Sequence, residues 1–178
     1  MIAAKHFACE RGRGAEVFAA LKELHGEWKN ADTVAVGVGP GSYNGLRTAC
    51  AIATSLNMAT GASLRAISSP CLLPVKEGHY LACGDARGGR AYRAEVRDRR
   101  LVGEILLIPH AEAAALAAGG IPVFRTGDLP GADHLPDAAP DANVLALLAP
   151  DFSMAENGRI EPIYLKPPHI TMPHGKAT

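Results

Sequence analysis

The sequence has no excess charge of either sign, because 18 lysines and arginines balance 18 aspartates and glutamates. A neutral chain creates no long-range field that would attract nucleic acid or an anionic membrane surface. The four cysteines are scattered and form no C-x-x-C pair, so no disulfide framework is indicated. Cys50 and Cys83 lie in apolar runs, where they are predicted to be small core residues. We therefore expect a cytoplasmic protein in a reducing compartment.

Export and membrane-spanning signals are also absent. Lys5 and His6 stand where a signal peptide would need its apolar run. The uncharged stretch between 48 and 64 is interrupted by Thr54, Ser55 and Asn57, whereas a membrane span needs about 20 mostly apolar residues. With 48% hydrophobic and 20% charged residues, the chain is predicted to be globular and not to associate with membranes. Its 178 residues can bury one substantial core or two small lobes.

The most informative segment runs from Val34 to Gly61. Its apolar, β-branched start predicts a strand, its glycines and proline predict a tight turn, and its Ala-rich remainder predicts a helix. Ser42 is placed to cap the helix, and Gly61 to end it in a left-handed conformation. A surface helix normally has a charged face, and this one has none between 48 and 60. We therefore expect it to pack on more than one side, against its own sheet and against a partner.

The turn before this helix could bind a phosphate, because glycine-rich turns present free amides to anions. The spacings of the Walker A and Rossmann motifs are not met in any register of its glycines. Ser42 also lacks the flanking glycines of a nucleophile elbow. A structural role, with a tight turn and close helix packing at Gly45, is therefore favoured over phosphate binding. The residues assigned to this structural turn are Gly39, Pro40, Gly41, Ser42 and Gly45.

The remaining pattern predicts an α/β protein with mixed sheets and two lobes, residues 1–78 and 79–178. The first lobe begins with a short strand from Ile2 to Cys9 and a helix from Ala15 to His25. From His79 the hydrophobic period changes to two, which predicts an antiparallel meander over 79–86, 89–97 and 100–108. Short helices are predicted at 110–118 and 143–149, a strand at 121–126, and a proline-rich, extended tail.

Two sets of polar residues are candidates for a functional site: the histidines for a metal site, and Asp85 with Arg87 for a polar site. The seven histidines form no H-E-x-x-H motif, and the spacing of His169 and His174 would not place them on one helix face. No metal site is therefore predicted. Asp85 and Arg87 either form a polar pair near the junction of the lobes or belong to a turn whose charges are solvated. Both interpretations remain open at this stage.

Three segments carry a resemblance to a known family. GPGSYNGLR, from Gly39 to Arg47, resembles the GPGSFTGLR-type motif of the TsaB (YeaZ) family, whose members are needed to make threonylcarbamoyladenosine in bacterial tRNA. GDARGGRAYRAEV, from Gly84 to Val96, is similar to that family's DAR hairpin. IEPIYLKPPHI, from Ile160 to Ile170, is similar to its terminal segment. The resemblance implies the two-lobed actin-like ATPase (ribonuclease H-like) fold of the glycoprotease-like ASKHA superfamily.

Two segments depart from the family pattern. The family begins with a strand reading like LAIDTS and a hairpin, and neither precedes the segment from Ile2 to Cys9. We therefore expect an incomplete N-terminal lobe, which implies either a truncated chain or the loss of the nucleotide site. RGRGAE, from Arg11 to Glu16, replaces an R-E-H-S-like segment, so any function at the start of the first helix is in doubt.

The resemblance also implies a function. In TsaB relatives the first two helices pack against those of a catalytic TsaD-like paralogue or of a second copy. The corresponding contact candidates are Val17, Leu21, Leu24, Leu46, Ala49, Ala53 and Leu56. Because no catalytic constellation is visible, we expect a non-catalytic partner subunit without its own cofactor, with nucleotide only at a composite interface and tRNA bound only indirectly. The alternatives are an ATP-binding enzyme of the ASKHA class and a peptidase of the glycoprotease family.

Overall fold

The computed structural model describes residues 15–24, 29–152 and 159–166. The predicted strand from Ile2 to Cys9 and the tail after Lys166 lie outside these residues, as does His25, the predicted end of the first helix. The strands are β1 (Thr33–Gly37), β2 (Ser63–Ile67), β3 (His79–Asp85), β4 (Arg90–Arg97), β5 (Arg100–Leu101), β6 (Leu106–Pro109) and β7 (Val123–Arg125). The α-helices are α1 (Ala15–Glu23), α2 (Tyr43–Thr60), α3 (His110–Ala115) and α4 (Ala142–Leu148).

The first sheet consists of β1 and β2, which run parallel from the Thr33–Ser63 pair to the Gly37–Ile67 pair. Parallel neighbours need a crossover connection, and α2 provides it. The helix packs its small residues against the sheet, and Val36, Cys50 and Leu64 are among the buried residues between them. The predicted strand, turn and helix of this region are therefore confirmed.

The second sheet is mixed. β3 pairs with β4 in the antiparallel sense and with β7 in the parallel sense, and both β5 and β6 pair with β4. The predicted third strand of the meander, 100–108, was wrong as a single element. Val96 pairs with Leu101 and Arg93 pairs with Leu106. An advance of three residues along β4 therefore corresponds to an advance of five residues from β5 to β6. The two extra residues leave the sheet around Gly103, whose φ of 70° suits glycine.

A shared core crosses the predicted lobe boundary at residue 78. Ile67 and Leu73 pack with Tyr80 and Val96 of the second sheet, all of them fully buried. The hydroxyl of Tyr80 donates to the Pro70 carbonyl at 2.7 Å, which joins β3 to the 3-10 turn after β2. The start of β3 at His79 agrees with the boundary, but the division into 1–78 and 79–178 remains a prediction.

The segment 159–166 returns to the first sheet. The Ile163 amide donates to the Val38 carbonyl at 2.8 Å, and Ile160 and Ile163 pack on the core beneath α2. As predicted for the tail, these residues form neither helix nor strand, and they contribute to the first sheet's core although they belong to the second predicted lobe. Across the described ranges, no helix has the length and apolar character needed to cross a bilayer.

Candidate functional site

The N-terminus of α2 is capped as predicted. The Ser42 hydroxyl accepts from the Gly45 amide at 3.2 Å, and Gly61 ends the helix with a φ of 74°. The reason for glycine at position 45 differs from the predicted close helix packing. Gly45 is exposed, and a Cβ there would lie 2.5 Å from the Ser42 hydroxyl oxygen. Gly45 therefore leaves space for the cap rather than for a neighbouring element.

The glycine turn itself is held by two serines that follow β2. The Gly39 amide donates to the Ser69 hydroxyl at 3.1 Å, while the Gly39 carbonyl accepts from the Ser69 amide at 2.8 Å and from the Ser68 hydroxyl at 3.1 Å. Gly39 has a φ of 100°, and a Cβ would lie 2.7 Å from a methyl of Leu46. Pro40 is buried and Gly41 is exposed. The Gly39 amide, the Ser68 hydroxyl and the Ser69 amide are hydrogen-bond donors that a phosphate could use, and all three are already bonded within the chain. This supports the structural interpretation of the turn.

The structure divides the predicted contact residues into two groups. Leu46 and Ala53 are only 8% and 4% exposed. Ala53 packs in the core between α2 and the first sheet, whereas Leu46 lies against the glycine turn, beside Gly39 and Gly41. They belong to the core of this chain, and their assignment to a partner surface is corrected on that ground. The other members are half-buried: Val17, Leu21, Leu24, Ala49 and Leu56. The outward face of α2 is instead formed by Ala51, Ser55, Met58 and Ala59, all of them exposed.

Asp85 and Arg87 lie together at the turn between β3 and β4. The Arg87 amide donates to Asp85 Oδ1 at 2.9 Å, and the Arg87 guanidinium lies 3.3 Å from Asp85 Oδ2. Arg87 has a φ of 65°, so the amide bond to the carboxylate helps to hold a turn that few side chains favour. The Asp85 side chain is 20% exposed and that of Arg87 is 75% exposed, so the carboxylate is held in the turn while the guanidinium is largely in solvent. The choice between a polar site and a turn with solvated charges stays open.

His110 joins this cluster, although its sequence position gave no reason to select it. Its Nε2 lies 3.2 Å from Asp85 Oδ1 and 3.0 Å from the Arg90 carbonyl. Both neighbours are acceptors, so Nε2 carries the hydrogen. The signal that could have identified His110 is the register of the meander, because pairing Pro109 with Arg90 places the next residue beside the turn.

Segment 159–166 links the Asp85 turn with the start of α2. The Lys166 ammonium donates to the Arg87 carbonyl at 2.7 Å. Two residues earlier, the ring of Tyr164 lies 4.9 Å from the ring of Tyr43, the first residue of α2. The guanidinium carbon of Arg47 lies 5.3 Å from the centre of the Tyr43 ring. The three segments highlighted by the sequence are thus brought together at one surface.

The buried thiols and phenols behind the site are held in their neutral forms. Burial raises the pKa of Cys83 to about 11, and that of Cys71 to about 11. A thiol with so high a pKa is protonated at neutral pH and is therefore a poor nucleophile. Burial also raises the pKa of Tyr92 to about 12, although its hydroxyl lies 2.6 Å from that of Thr126.

No group of three or more histidine, cysteine, aspartate or glutamate side chains in the described part of the chain is arranged to hold a metal ion. His169 and His174 lie outside that part. Two histidines lie beside a carboxylate: His79 Nε2 is 2.9 Å from Glu95 Oε1, and His110 Nε2 is 3.2 Å from Asp85 Oδ1. Each carboxylate also lies beside a guanidinium, that of Arg93 for Glu95 and that of Arg87 for Asp85.

Comparison with known proteins identifies both sequence and structural relatives. The family described as TsaD, tRNA N6-adenosine threonylcarbamoyltransferase, matches residues 14–116. YeaZ from Pseudomonas aeruginosa is similar in structure, with a TM-score of 0.61 and 25% identity over 84% of this chain and 80% of that chain. An uncharacterized protein from the same organism, with similarity to peptidase YEAZ, has a TM-score of 0.61 and 22% identity over 84% and 81%. No curated protein matches significantly. The predicted actin-like, mixed α/β fold is confirmed.

Proposed function

Because the chain belongs to the tRNA N6-adenosine threonylcarbamoyltransferase (TsaD) family and is a TsaB/YeaZ-like protein, we propose that it is a non-catalytic partner subunit in the formation of threonylcarbamoyladenosine in tRNA. In this proposal it binds the catalytic TsaD-like paralogue in the cytoplasm and holds no cofactor of its own. A nucleotide would enter only at the composite interface between the two chains. A second copy of the chain is the competing partner.

The observation that carries the proposal is the outward face of α2. Met58 is 81% exposed, and Ala51, Ser55 and Ala59 lie on the same side of the helix at spacings of three, four, seven and eight residues. This face has no charge after Arg47, which is unusual for a helix directed to solvent. A contiguous uncharged face with a large exposed methionine is typical of a protein interaction surface.

The side chains and amides that could take part in catalysis or bind a phosphate have structural roles instead. Ser42 caps α2, and the Gly39 and Gly45 amides are bonded within the chain. Asp85 and His110 bind each other and the turn that carries Arg87. These bonds stabilise the ends of helices and strands. The ASKHA-type ATPase and peptidase alternatives therefore gain no specific support from these groups.

The proposal is tested by comparing two arginine substitutions at exposed positions. Met58→Arg places a charge on the outward face of α2, in its last turn, and should weaken binding to the catalytic paralogue by about 10-fold or more, measured by calorimetry. Leu147→Arg changes a similarly exposed residue on α4 and should leave binding unchanged. A specific interface buries about 800 Å² on each partner, and a charge buried in it without a partner is costly.

Two further results would contradict the proposal. One is equal binding by both variants and the unsubstituted chain, which would remove α2 from the interface. The other is failure of the chain both to bind the paralogue and to complement a strain depleted of its own TsaB. The remaining possibility is that a second copy of the chain is the partner. Light scattering of the chain alone tests it, because a dimer that is lost only in Met58→Arg would identify the second copy as the partner.

A further inference from the structure

A row of aromatic and cationic side chains crosses the surface between the start of α2 and segment 159–166. Arg47 lies over Tyr43, Tyr43 contacts Tyr164, and Lys166 reaches the Arg87 carbonyl. The two tyrosines are 39% and 43% exposed, although each ring has an aromatic neighbour. Their rings are tilted by 34° to one another, and Tyr164 also lines a groove on the surface. We call this set, Arg47, Tyr43, Tyr164 and Lys166, the tyrosine row.

An apolar groove of about 480 Å³ lies next to Tyr164. One wall is formed by the loop between β5 and β6 and by the start of β6, including Ile105 and Leu106, and the other by Ile163, Tyr164 and Leu165. Leu106 is exposed within it. The groove is shallow and open to solvent, so it is a surface depression and not an enclosed cavity. A planar group stacked on Tyr164 would lie along this depression.

The charges around the row favour an anionic occupant. Arg47 and Lys166 are exposed cations at its two ends, and Arg87 lies beyond Lys166. The carboxylates near the row include Glu104 on the groove wall, the exposed Glu161 three residues before Tyr164, and Asp85, which is paired with Arg87 and His110. Aromatic rings flanked by cations are the usual arrangement in proteins that bind single-stranded nucleic acid.

We propose that the tyrosine row binds an unpaired RNA nucleotide, with the base stacked on Tyr164 against the groove and the flanking phosphates beside Arg47 and Lys166. The choice of RNA as occupant rests on the proposed function in tRNA modification. It adds one direct RNA contact to a subunit whose sequence predicts only indirect binding. Because the row holds few charges, this contact is weak in the isolated chain and is strengthened when other subunits bind the same RNA.

The experiment measures the anisotropy of a fluorescent 12-nucleotide single-stranded RNA against the full chain, without the catalytic paralogue. Tyr164→Ala should weaken binding by about 5- to 150-fold, since base stacking on an aromatic side chain typically contributes that much. Tyr164→Phe keeps the stacking surface and should bind like the unsubstituted chain. Arg47→Gln and Lys166→Gln should each reduce the slope of log affinity against log salt by about 0.7.

Controls separate this contact from the subunit interface. Leu147→Ala, at an exposed position of α4, should leave RNA binding unchanged, and circular dichroism should show all variants folded. Equal RNA affinity of Tyr164→Ala and the unsubstituted chain would overturn the proposal, as would no measurable binding at any salt concentration. If Tyr164→Ala instead loses only the catalytic paralogue, the row is a protein contact and RNA is excluded. If Met58→Arg loses binding to the catalytic paralogue but still binds RNA, the result supports RNA binding by the tyrosine row independently of the α2 interface.

Discussion

His110 Nε2 lies 3.2 Å from Asp85 Oδ1, although 25 positions separate the two residues in the sequence. The pairing of β6 with β4 creates this contact, because Arg90 is opposite Pro109 and the His110 amide donates to the Gly89 carbonyl at 3.2 Å. Asp85 thus binds both the turn that follows β3 and the first residue of α3. A single carboxylate holds two connections of the second sheet.

Replacing Asp85 by alanine should destabilise the chain. The substitution removes the acceptor of the Arg87 amide and the partner of His110 in a half-buried site. We expect the free energy of unfolding to fall by about 1–2 kcal/mol, since hydrogen bonds to charged groups contribute more than neutral ones. Urea denaturation measures the change. Asp133→Ala, at an exposed position, should stay within about 0.5 kcal/mol. Equal losses in the two variants would contradict a specific role for Asp85.

Gly84 is predicted to tolerate no side chain. It precedes Asp85 in β3, and an added Cβ would lie 2.7 Å from Tyr92 Cε1 and 3.2 Å from the Thr126 carbonyl oxygen. Gly84→Ala should therefore lower the free energy of unfolding by about 1–3 kcal/mol, the usual cost of overpacking. Gly119→Ala meets no atom within 4 Å and should have little effect. Thermal unfolding compares the two, and equal melting temperatures would show that Tyr92 and Thr126 can move aside without cost.

Local sequence patterns predicted the first sheet and α2 well. Alternating valines, a glycine turn, a serine cap and a final glycine all act within a few residues, so the sequence contains their physical causes. The resemblance to the TsaB family depended on these same residues and is confirmed by the comparisons. The orientation of α2 was not predictable, because a helix without charges gives no indication of which face is buried. Leu46 and Ala53 were consequently assigned to the surface, whereas Leu46 packs against the glycine turn and Ala53 packs on the sheet.

The candidate site was only partly predictable for a different reason. Asp85 and Arg87 are two residues apart, so a turn motif suggested their contact. His110, Tyr43, Tyr164 and Lys166 are brought together by strand register and by the return of segment 159–166 to the first sheet. Such contacts depend on the packing of distant elements and leave no local periodicity. The break in the meander at Gly103 is similar, since two inserted residues preserve the alternation of the strand on either side.

The serine cap of α2 provides a prediction with a control in the same helix. Ser42→Ala removes the acceptor of the Gly45 amide and should cost about 1 kcal/mol. Ser55→Ala removes a hydroxyl that donates to the Ala51 carbonyl at 2.8 Å on the exposed face. The Ala51 carbonyl is inside the helix and does not depend on this side-chain bond, so Ser55→Ala should be neutral or slightly stabilising. Urea denaturation distinguishes the variants, and an equal loss in both would argue against capping as the role of Ser42.

Alkaline pH should destabilise the chain through its buried phenols and thiols. Burial raises the pKa of Tyr92 from 10.0 to about 12, and that of Cys83 from 9.0 to about 11. The pKa of each group is higher in the folded state than in the unfolded state. The resulting contribution to folding stability is therefore complete below the unfolded-state pKa, and it is lost as pH rises through the folded-state pKa. The free energy of unfolding should therefore decline above pH 9, by up to about 1.4 kcal/mol per pH unit for each group in its own window.

Tyr92→Phe tests this assignment. The variant loses the hydrogen bond with Thr126, so at pH 8 it should be less stable by about 1 kcal/mol. It also lacks a buried phenol to ionise, so its stability should decline less than that of the unsubstituted chain between pH 10 and pH 12. Urea denaturation across this range measures both effects, and the two stability curves should converge as pH rises. Parallel curves for Tyr92→Phe and the unsubstituted chain would show that Tyr92 does not contribute to alkaline unfolding.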